Sequence, residues 1–581
     1  MQRQSWASRP SRDNTPLKQL KRLIASTLDA DPIHEETVTT MRYLLLPFTR
    51  RYLTYAGALV ATILLLVLSF SDPVYWFPCG LAAMLALLGT HDLLQTRHSL
   101  LRNYPIVGHI RFILEEIRPE VRQYFAESDT DGQPFSRRAR SLAYERAKIT
   151  VDKFPFGTEL DVNSEWFEWL SHSIAPKPVA AEQFRITVGG PGCLQPYSIS
   201  VLNISAMSFG ALGFKAILAL NLGAKLGGFA HDTGEGGFTR YHRQHGGDII
   251  LQVGSGYFGC RNPNGSFSPE RFAEQANEPQ IKMIEIKLSQ GAKPGHGGVL
   301  PAAKVSPEIA VARGVPIGRD CISPAWHSEF STPRGLLEFI ERLRRLALGK
   351  PVGFKLCVGH PGEFLGICKA MLETGIYPDF IVIDGAEGGT GAGPLEFLDH
   401  VGMPLREALM FVHNALVGLN IRDHIKLGAS GKIITGFEMV RAMALGADWC
   451  NSARGFMFAL GCIQSLRCHT DQCPTGVATQ DPIRQRALVV SQKASRVASF
   501  HRATVLALAE VVAAAGLDHP SDLRPYHISK RTTFGRPETL EQIYHFLEPG
   551  ELLSGTEDPR FKDSWPKARS DSFSSTRGEA A

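Results

Sequence analysis

Three cysteines carry the densest chemistry in this chain. Cys462, Cys468 and Cys473 are spaced C-x5-C-x4-C within GCIQSLRCHTDQCPTGVATQ, and Pro474 follows the last of them. Three thiolates on one short loop can hold a metal centre. Iron–sulfur ligation is typically all-Cys, often with Pro after the final ligand. Three ligands without a near fourth favour a three-iron (3Fe–4S) cluster over a closed four-iron one. Zinc would need a fourth ligand; His469 is available but sits beside Cys468. Three buried core cysteines are the reading without chemistry.

A second group is Gly-rich or polar: SFGALG (208–213), DTGEGG (232–237), SQGAKPGHGG (289–298), DGAEGGTGAGP (384–394), ASGK (429–432) and SARG (452–455). Glycine in such stretches lets backbone N–H groups approach a phosphate. Their charged residues are chemical candidates. Glu235 stands between glycines, Lys293 lies in GAKPG, and Lys287 and Lys355 lie inside the apolar runs IEIKLSQ and GFKLCV. A lysine in a buried strand must be paired or face a polar pocket. Lys287 and Lys355 are therefore expected to point into a ligand pocket rather than into a structural ion pair. Asp384 ends an apolar run and either faces that pocket or caps the next loop. Gly389 lies in the GAEGGTGAG stretch, which taken alone reads equally as an ordinary turn.

Something must bring these stretches together. From about 195 to 460, strand-like runs alternate with helical patterns. The strand candidates are Tyr197–Ile204, Gly228–Asp232, Ile249–Val253, Ile284–Leu288, Gly353–Val358, Phe380–Asp384, Ile425–Ala429 and Asp448–Ser452, with Cys321–Ser323 as a weak ninth. Buried strands alternating with helices indicate a parallel sheet with helices outside. Eight of them predict an α/β fold, a (β/α)8 TIM barrel; a doubly wound open sheet is the alternative. In a barrel all six stretches fall on the C-terminal rim, where active sites are built. Ser430-Gly431-Lys432 and Ala453-Arg454-Gly455 close the seventh and eighth strands, the usual place of a barrel phosphate site. A phosphorylated cofactor such as FMN follows.

Ahead of this region lie two uncharged runs, Leu53 to Phe70 and Val74 to Thr90, broken by Ser71-Asp72-Pro73. Pro73 ends any single helix there, and each run is near the short end of what spans ~30 Å of hydrocarbon. A transmembrane helical hairpin is expected, with a buried hairpin as the alternative. Arg50, Arg51, Arg97 and Arg102 flank it and the turn has no Lys or Arg, which puts both ends, and the catalytic domain, in the cytoplasm at the inner membrane. The expected organisation is a basic segment over 1–50, the hairpin over 51–92, a helical linker over 93–180, the barrel over 181–520 and an extension over 521–581. Ser, Asp and Lys without periodicity predict disorder from about 555. The net formal charge of +5 over 581 residues argues against a nucleic-acid binder. Ten cysteines, seven of them scattered singly, are too few for a disulfide scaffold.

The ordered set SAMSFG, DTGEGG, IKLSQGAKPGHGG-x-LP-x-x-KV, ISP, DGAEGGTGAGP and GC-x5-CH-x3-CPTGVATQ, over about 180–490, resembles the FMN-binding synthase domain of glutamate synthases. The resemblance implies FMN on the rim of a (β/α)8 barrel beside a 3Fe–4S cluster that relays single electrons to it. It further implies a hydride passed to 2-iminoglutarate, made from 2-oxoglutarate and ammonia, to give L-glutamate. By that likeness Cys462, Cys468 and Cys473 would bind the cluster, and Ser205, Ala206 and Met207 would lie along the flavin. Gln252, Lys287 and Gln290 would contact flavin and substrate. Gly431, Gly455 and Arg454, next to Ala453, would serve the phosphate, and Glu235 would be the substrate-side carboxylate.

The departures are specific. Residue 2 is Gln and the first cysteine, Cys79, lies in the second apolar run, so no N-terminal glutaminase is expected; ammonia would be free or come from a partner in trans. No nicotinamide-binding region is seen, so a redox donor such as a ferredoxin or a membrane redox protein is implied. His296 replaces a family carboxylate in GHGG, and SPAWHS (323–328) replaces SPPPHH; both changes are expected on the substrate side. Another amine, as in N-methylglutamate formation, or a non-catalytic electron-relay role are the alternative functions.

Overall fold

Eight short, largely buried strands close into a parallel barrel in the computed structural model, which describes residues 50–150, 153–190, 192–533 and 535–574. They are β1 (Leu202–Ile204), β2 (His231–Asp232), β3 (Ile249–Val253), β4 (Ile281–Lys287), β5 (Val352–Leu356), β6 (Phe380–Asp384), β7 (Lys426–Ser430) and β8 (Trp449–Ser452). Each pairs with the next, and β8 returns to β1. Burial of both strand faces explains why the runs read as continuous apolar stretches rather than alternating ones.

Two expectations about strands change. Tyr197–Ile204 breaks at Val201: Tyr197–Ser200 pairs antiparallel with Arg185–Val188, and only Leu202–Ile204 enters the barrel. Asn203 holds the break. Its amide donates to the Ser200 carbonyl at 2.6 Å, and its Oδ1 accepts from the Ala230 N–H at 3.0 Å. The weak ninth candidate lies outside the barrel; Cys321–Ile322 pairs with Val299–Leu300 in the long segment between β4 and β5.

The chain forms two compact units that divide at Ala126 and Glu127. The first contains helices Leu53–Ser69 and Trp76–Leu94, separated by a turn in which the Asp72 carboxylate accepts from the Val74 N–H at 3.0 Å. Its helices meet where Gly89 leaves room for the Tyr55 ring, and Tyr55 shares a 2.9 Å hydrogen bond with Thr90. Ile63, Val67, Phe77 and Leu87 are 63–84% exposed. Asp92, fully buried, accepts from the Ile106 N–H and from His109, both at 2.9 Å, and ties helix Gly108–Val121 to the hairpin. The basic segment expected over 1–50 lies outside the described residues except for Arg50.

The expected linker is therefore divided. Its later part, with helix Arg137–Lys148, belongs to the barrel unit, where Tyr144 donates to the Cys462 carbonyl at 2.6 Å. A long helix, Val490–Ala514, lies half-buried on the barrel's outside against helix Phe214–Gly227.

The expected disorder from about 555 is corrected over the described residues: 555–574 include helices Pro559–Lys562 and Ser564–Lys567 packed on the barrel. Phe561 is fully buried and stacks on Phe411 at 5.1 Å, and the Lys369 ammonium donates to the Ala568 carbonyl at 2.7 Å. A polar average composition concealed a few apolar anchors. Phe561→Ala is expected to destabilise the barrel unit by about 3–5 kcal/mol, read as a lowered unfolding midpoint; an unchanged midpoint would mean the tail is not docked.

Candidate active site

Strand ends and the loops after most of the strands enclose one cleft on the C-terminal rim, with about 1350 Å³ of atom-free space including its open mouth. Strand register builds it. Lys287 of β4 lies level with Lys355 of β5, and Asp384 of β6 with Ser430 of β7. Side chains at one level of a parallel barrel share a layer, so residues far apart in sequence meet.

Most sequence-predicted residues line this cleft: Ser205, Ala206 and Met207 after β1, Glu235 after β2, Gln252 on β3, and Lys287, Gln290 and Lys293 at and after β4. Lys355, Asp384, Gly389, Ser430, Gly431, Ala453, Arg454 and Cys468 complete the set. Gly455, Cys462 and Cys473 are not on its wall. Gly455 serves packing, since a Cβ there would meet Ser452 Oγ at 2.6 Å and the Phe500 ring at 2.8 Å. His296 packs edge-on against Phe397 at 5.1 Å and also stands off the cleft wall. His327, from the altered SPAWHS stretch, is buried behind Lys287. Its ring bonds the Lys287 carbonyl at 3.0 Å and the Tyr257 hydroxyl at 3.1 Å, and burial pushes it down to about 4, so it is neutral.

Lys287 and Lys355 each face the cleft and are also ion-paired, so the two alternatives read from sequence both hold. Lys287 Nζ lies 3.1 Å from Glu235 Oε2, and Lys355 Nζ lies 3.5 Å from Glu285 Oε1. Burial alone would raise the Glu235 carboxyl; Lys287 and Arg313 outweigh it and hold it below its ordinary range. Burial and the like charge of Lys287 push Lys293 down to about 8. Under the cleft, Gln252 donates to Glu285 at 2.6 Å. There burial and the Glu285 charge hold the Asp232 carboxyl well above its usual range. Asp384 also does both proposed jobs: it lines the cleft and accepts from the Gly291 N–H at 2.9 Å. A Cβ on Gly291 would overlap the Gly385 carbonyl oxygen, so this close loop crossing requires glycine.

Sequence reasoning missed several wall residues: Phe135, Lys304, Arg313 and Asn451. Lys304 stands in the quoted LP-x-x-KV stretch, which was the available signal. Arg313 ends a helix and donates to the Phe209 carbonyl at 2.9 Å. In all, seven cationic side chains and two carboxylates, Glu235 and Asp384, face the cleft. That excess of positive charge suits an anionic occupant such as a phosphorylated cofactor or a dicarboxylate. Lys432 adopts φ of +51° just after β7, which turns the Ser430–Lys432 backbone sharply at the expected phosphate loop.

The cysteine loop borders this wall through Cys468. Cys462 and Cys473 are buried and Cys468 half-buried. Burial would raise the Cys473 thiol, but the N–H groups of Ala478, Thr475 and Val477 and the Thr475 hydroxyl outweigh it and hold it below its ordinary value. Burial pushes Cys462 up to about 11, and the charges of Cys468 and Cys473 add to it. Among the described residues no three His, Cys, Asp or Glu side chains converge as the ligands of one ion would. A multi-iron cluster instead spreads its thiolates around an inorganic core, and N–H groups aimed at sulfur are what such a cluster uses. His469 is exposed on this loop. The donor set fits a cluster.

The model of a conserved region in glutamate synthase matches residues 195–518. The chain is 38% identical over 525 residues to the glutamate synthase large subunit-like protein YerD of Bacillus subtilis, covering 83% of this chain and 99% of that one. It is 36% identical over 322 residues to the archaeal glutamate synthase (NADPH) of Methanocaldococcus jannaschii, covering 55% of this chain and 60% of that one.

Proposed function

This chain belongs to the glutamate synthase family, and from that premise we propose that it is a membrane-tethered FMN and iron–sulfur oxidoreductase that reductively aminates 2-oxoglutarate to L-glutamate. The observation that carries the reading is the strongly cationic rim cleft bordered by Cys468. FMN would supply hydride transfer and the cluster single-electron delivery. The chain's own residues do the rest. Ser430 to Lys432 and Ala453 to Arg454 would hold the phosphate. Ser205, Ala206, Met207 and Gln252 would lie along the ring. Lys287, Lys293 and Arg313 would hold the substrate carboxylates, oriented by Gln290. Glu235, kept ionised by Lys287, would hold the incoming nitrogen or take its proton. A smaller adjoining cavity shares Glu235, Lys287, Gln290 and Lys293 with the cleft and is also lined by Ser255, Gly298 and Ala325; it suits a nitrogen donor as small as ammonia. Cys462, Cys468 and Cys473 would hold the cluster.

Two apolar helices with exposed Leu, Val, Ile and Phe side chains support the anchor, with a ferredoxin or membrane redox protein as the donor class. The test is direct. Full-length protein from detergent extracts should contain flavin and iron, and its reduced flavin should be reoxidised by 2-oxoglutarate with ammonia. Reoxidation only with methylamine would assign N-methylglutamate formation instead, and no reoxidation by either would remove the enzymatic reading.

A pH dependence follows from Lys293. Because burial lowers it to about 8, its charge is present below that pH and lost above it. The kcat/KM for 2-oxoglutarate, which reports the free enzyme, should fall above about pH 8. In Lys293→Met that limb should disappear along with most of the affinity; an unchanged alkaline limb would show that Lys293 does not hold substrate.

A further inference from the structure

Lys304 is the one lysine on the cleft wall whose Nζ is held wholly by main-chain carbonyls of two loops. It is 2% exposed and donates to the Ala211 carbonyl at 2.5 Å, the Ala478 carbonyl at 3.1 Å and the Cys468 carbonyl at 3.3 Å. Ala211 belongs to the loop after β1; the other two carbonyls flank Cys473 in the cysteine loop. Gln480 repeats the tie, donating to the Gly210 and Leu212 carbonyls, both at 2.9 Å. Among the described residues no carboxylate forms an ion pair with Lys304 Nζ. A buried cation without an ionic partner is costly, unless negative charge stands beside it. Cys468, Asp471 and Cys473 are the acidic groups whose charge it feels.

We propose that Lys304 is a positioning residue that fixes the Cys468 peptide at the edge of the cleft, and that its positive charge raises the reduction potential of the cluster. This rests on the cluster reading above. Reduction adds negative charge to the cluster, and a cation buried next to its ligands favours that state. The carbonyl bonds decide where the thiolate sits; the charge decides how readily the electron arrives.

The experiment uses full-length protein purified from detergent extracts. Wild type, Lys304→Gln, Lys304→Met and Lys304→Arg are compared for iron and flavin content and for cluster midpoint potential by EPR-monitored redox titration. Gln keeps a donor for the carbonyls but removes the charge. Lys304→Gln is expected to keep its flavin and iron and to lower the reduction equilibrium at least tenfold, about 59 mV for one electron. Lys304→Met should also lose iron, and Lys304→Arg should restore both properties. Iron in Lys304→Arg but not in Lys304→Gln would support the same assignment. Wild-type potential in Lys304→Gln, or iron lost from all three variants with flavin and fold intact, would overturn it. Absence of iron from the wild type would instead remove the cluster reading itself.

Discussion

Cys468→Ser is expected to strip the iron from the protein and end donor-driven turnover, while the flavin stays bound. Cys468 is the one cysteine of the three that borders the cleft. A serine oxygen is a much poorer ligand for iron than a thiolate, and the two remaining thiolates cannot hold a cluster built on three. Dithionite-reduced flavin in the variant should still be reoxidised by 2-oxoglutarate and ammonia, because the cationic wall formed by Lys287, Lys293 and Arg313 is untouched. The pair of measurements separates electron delivery from amination. A variant that keeps all its iron would mean the cysteine loop is structural.

Lys287→Met carries the second large effect. Lys287 Nζ lies 3.1 Å from Glu235 Oε2, and both side chains are mostly buried, 9% and 16% exposed. Removing one partner of such a pair leaves the other charge uncompensated. The loss of kcat/KM for 2-oxoglutarate should be about 10²–10³-fold, as when one preorganised charge-stabilising donor is removed. The sign of the pH effect follows from Glu235. In the wild type its carboxyl is held below the ordinary range. The pair's stabilisation is therefore complete above the unfolded carboxyl pKa and lost as pH falls through the folded one. Without Lys287 burial prevails, so Glu235 takes up a proton at a higher pH and the acid limb of the rate profile moves up. Lys287→Arg should restore part of the rate. Activity within threefold of wild type, with an unmoved acid limb, would show that the pair only supports the fold.

The exposed faces of the two N-terminal helices and the buried face of Val490–Ala514 make a useful contrast. Pro73–Leu94 of the hairpin and Val490–Ala514 are both long and apolar enough to cross a membrane, whereas Leu53–Ser69 is apolar but shorter. In Val490–Ala514 half of the apolar window is covered, and Val497, Phe500 and Leu508 are fully buried on the barrel unit. The hairpin keeps Ile63, Phe77 and Leu87 exposed within its own unit. Composition alone does not separate these cases, because it records what a helix contains and not what covers it.

Local patterns determined much of this protein. Short strand-like runs between helical patterns marked all eight barrel strands, glycine marked the rim loops, and the C-x5-C-x4-C spacing marked the cysteine loop. These signals are short-range: periodicity, turn chemistry and ligand spacing are written within a few residues. Only the tertiary structure decided that Lys304 joins the cysteine loop to the loop after β1, that Arg313 and Phe135 reach the cleft, that Tyr197–Ile204 breaks at Val201, and that Phe561 orders a polar tail. Each depends on a partner many residues away, and barrel closure, which sets those partners, leaves no mark in the composition of the segments it joins.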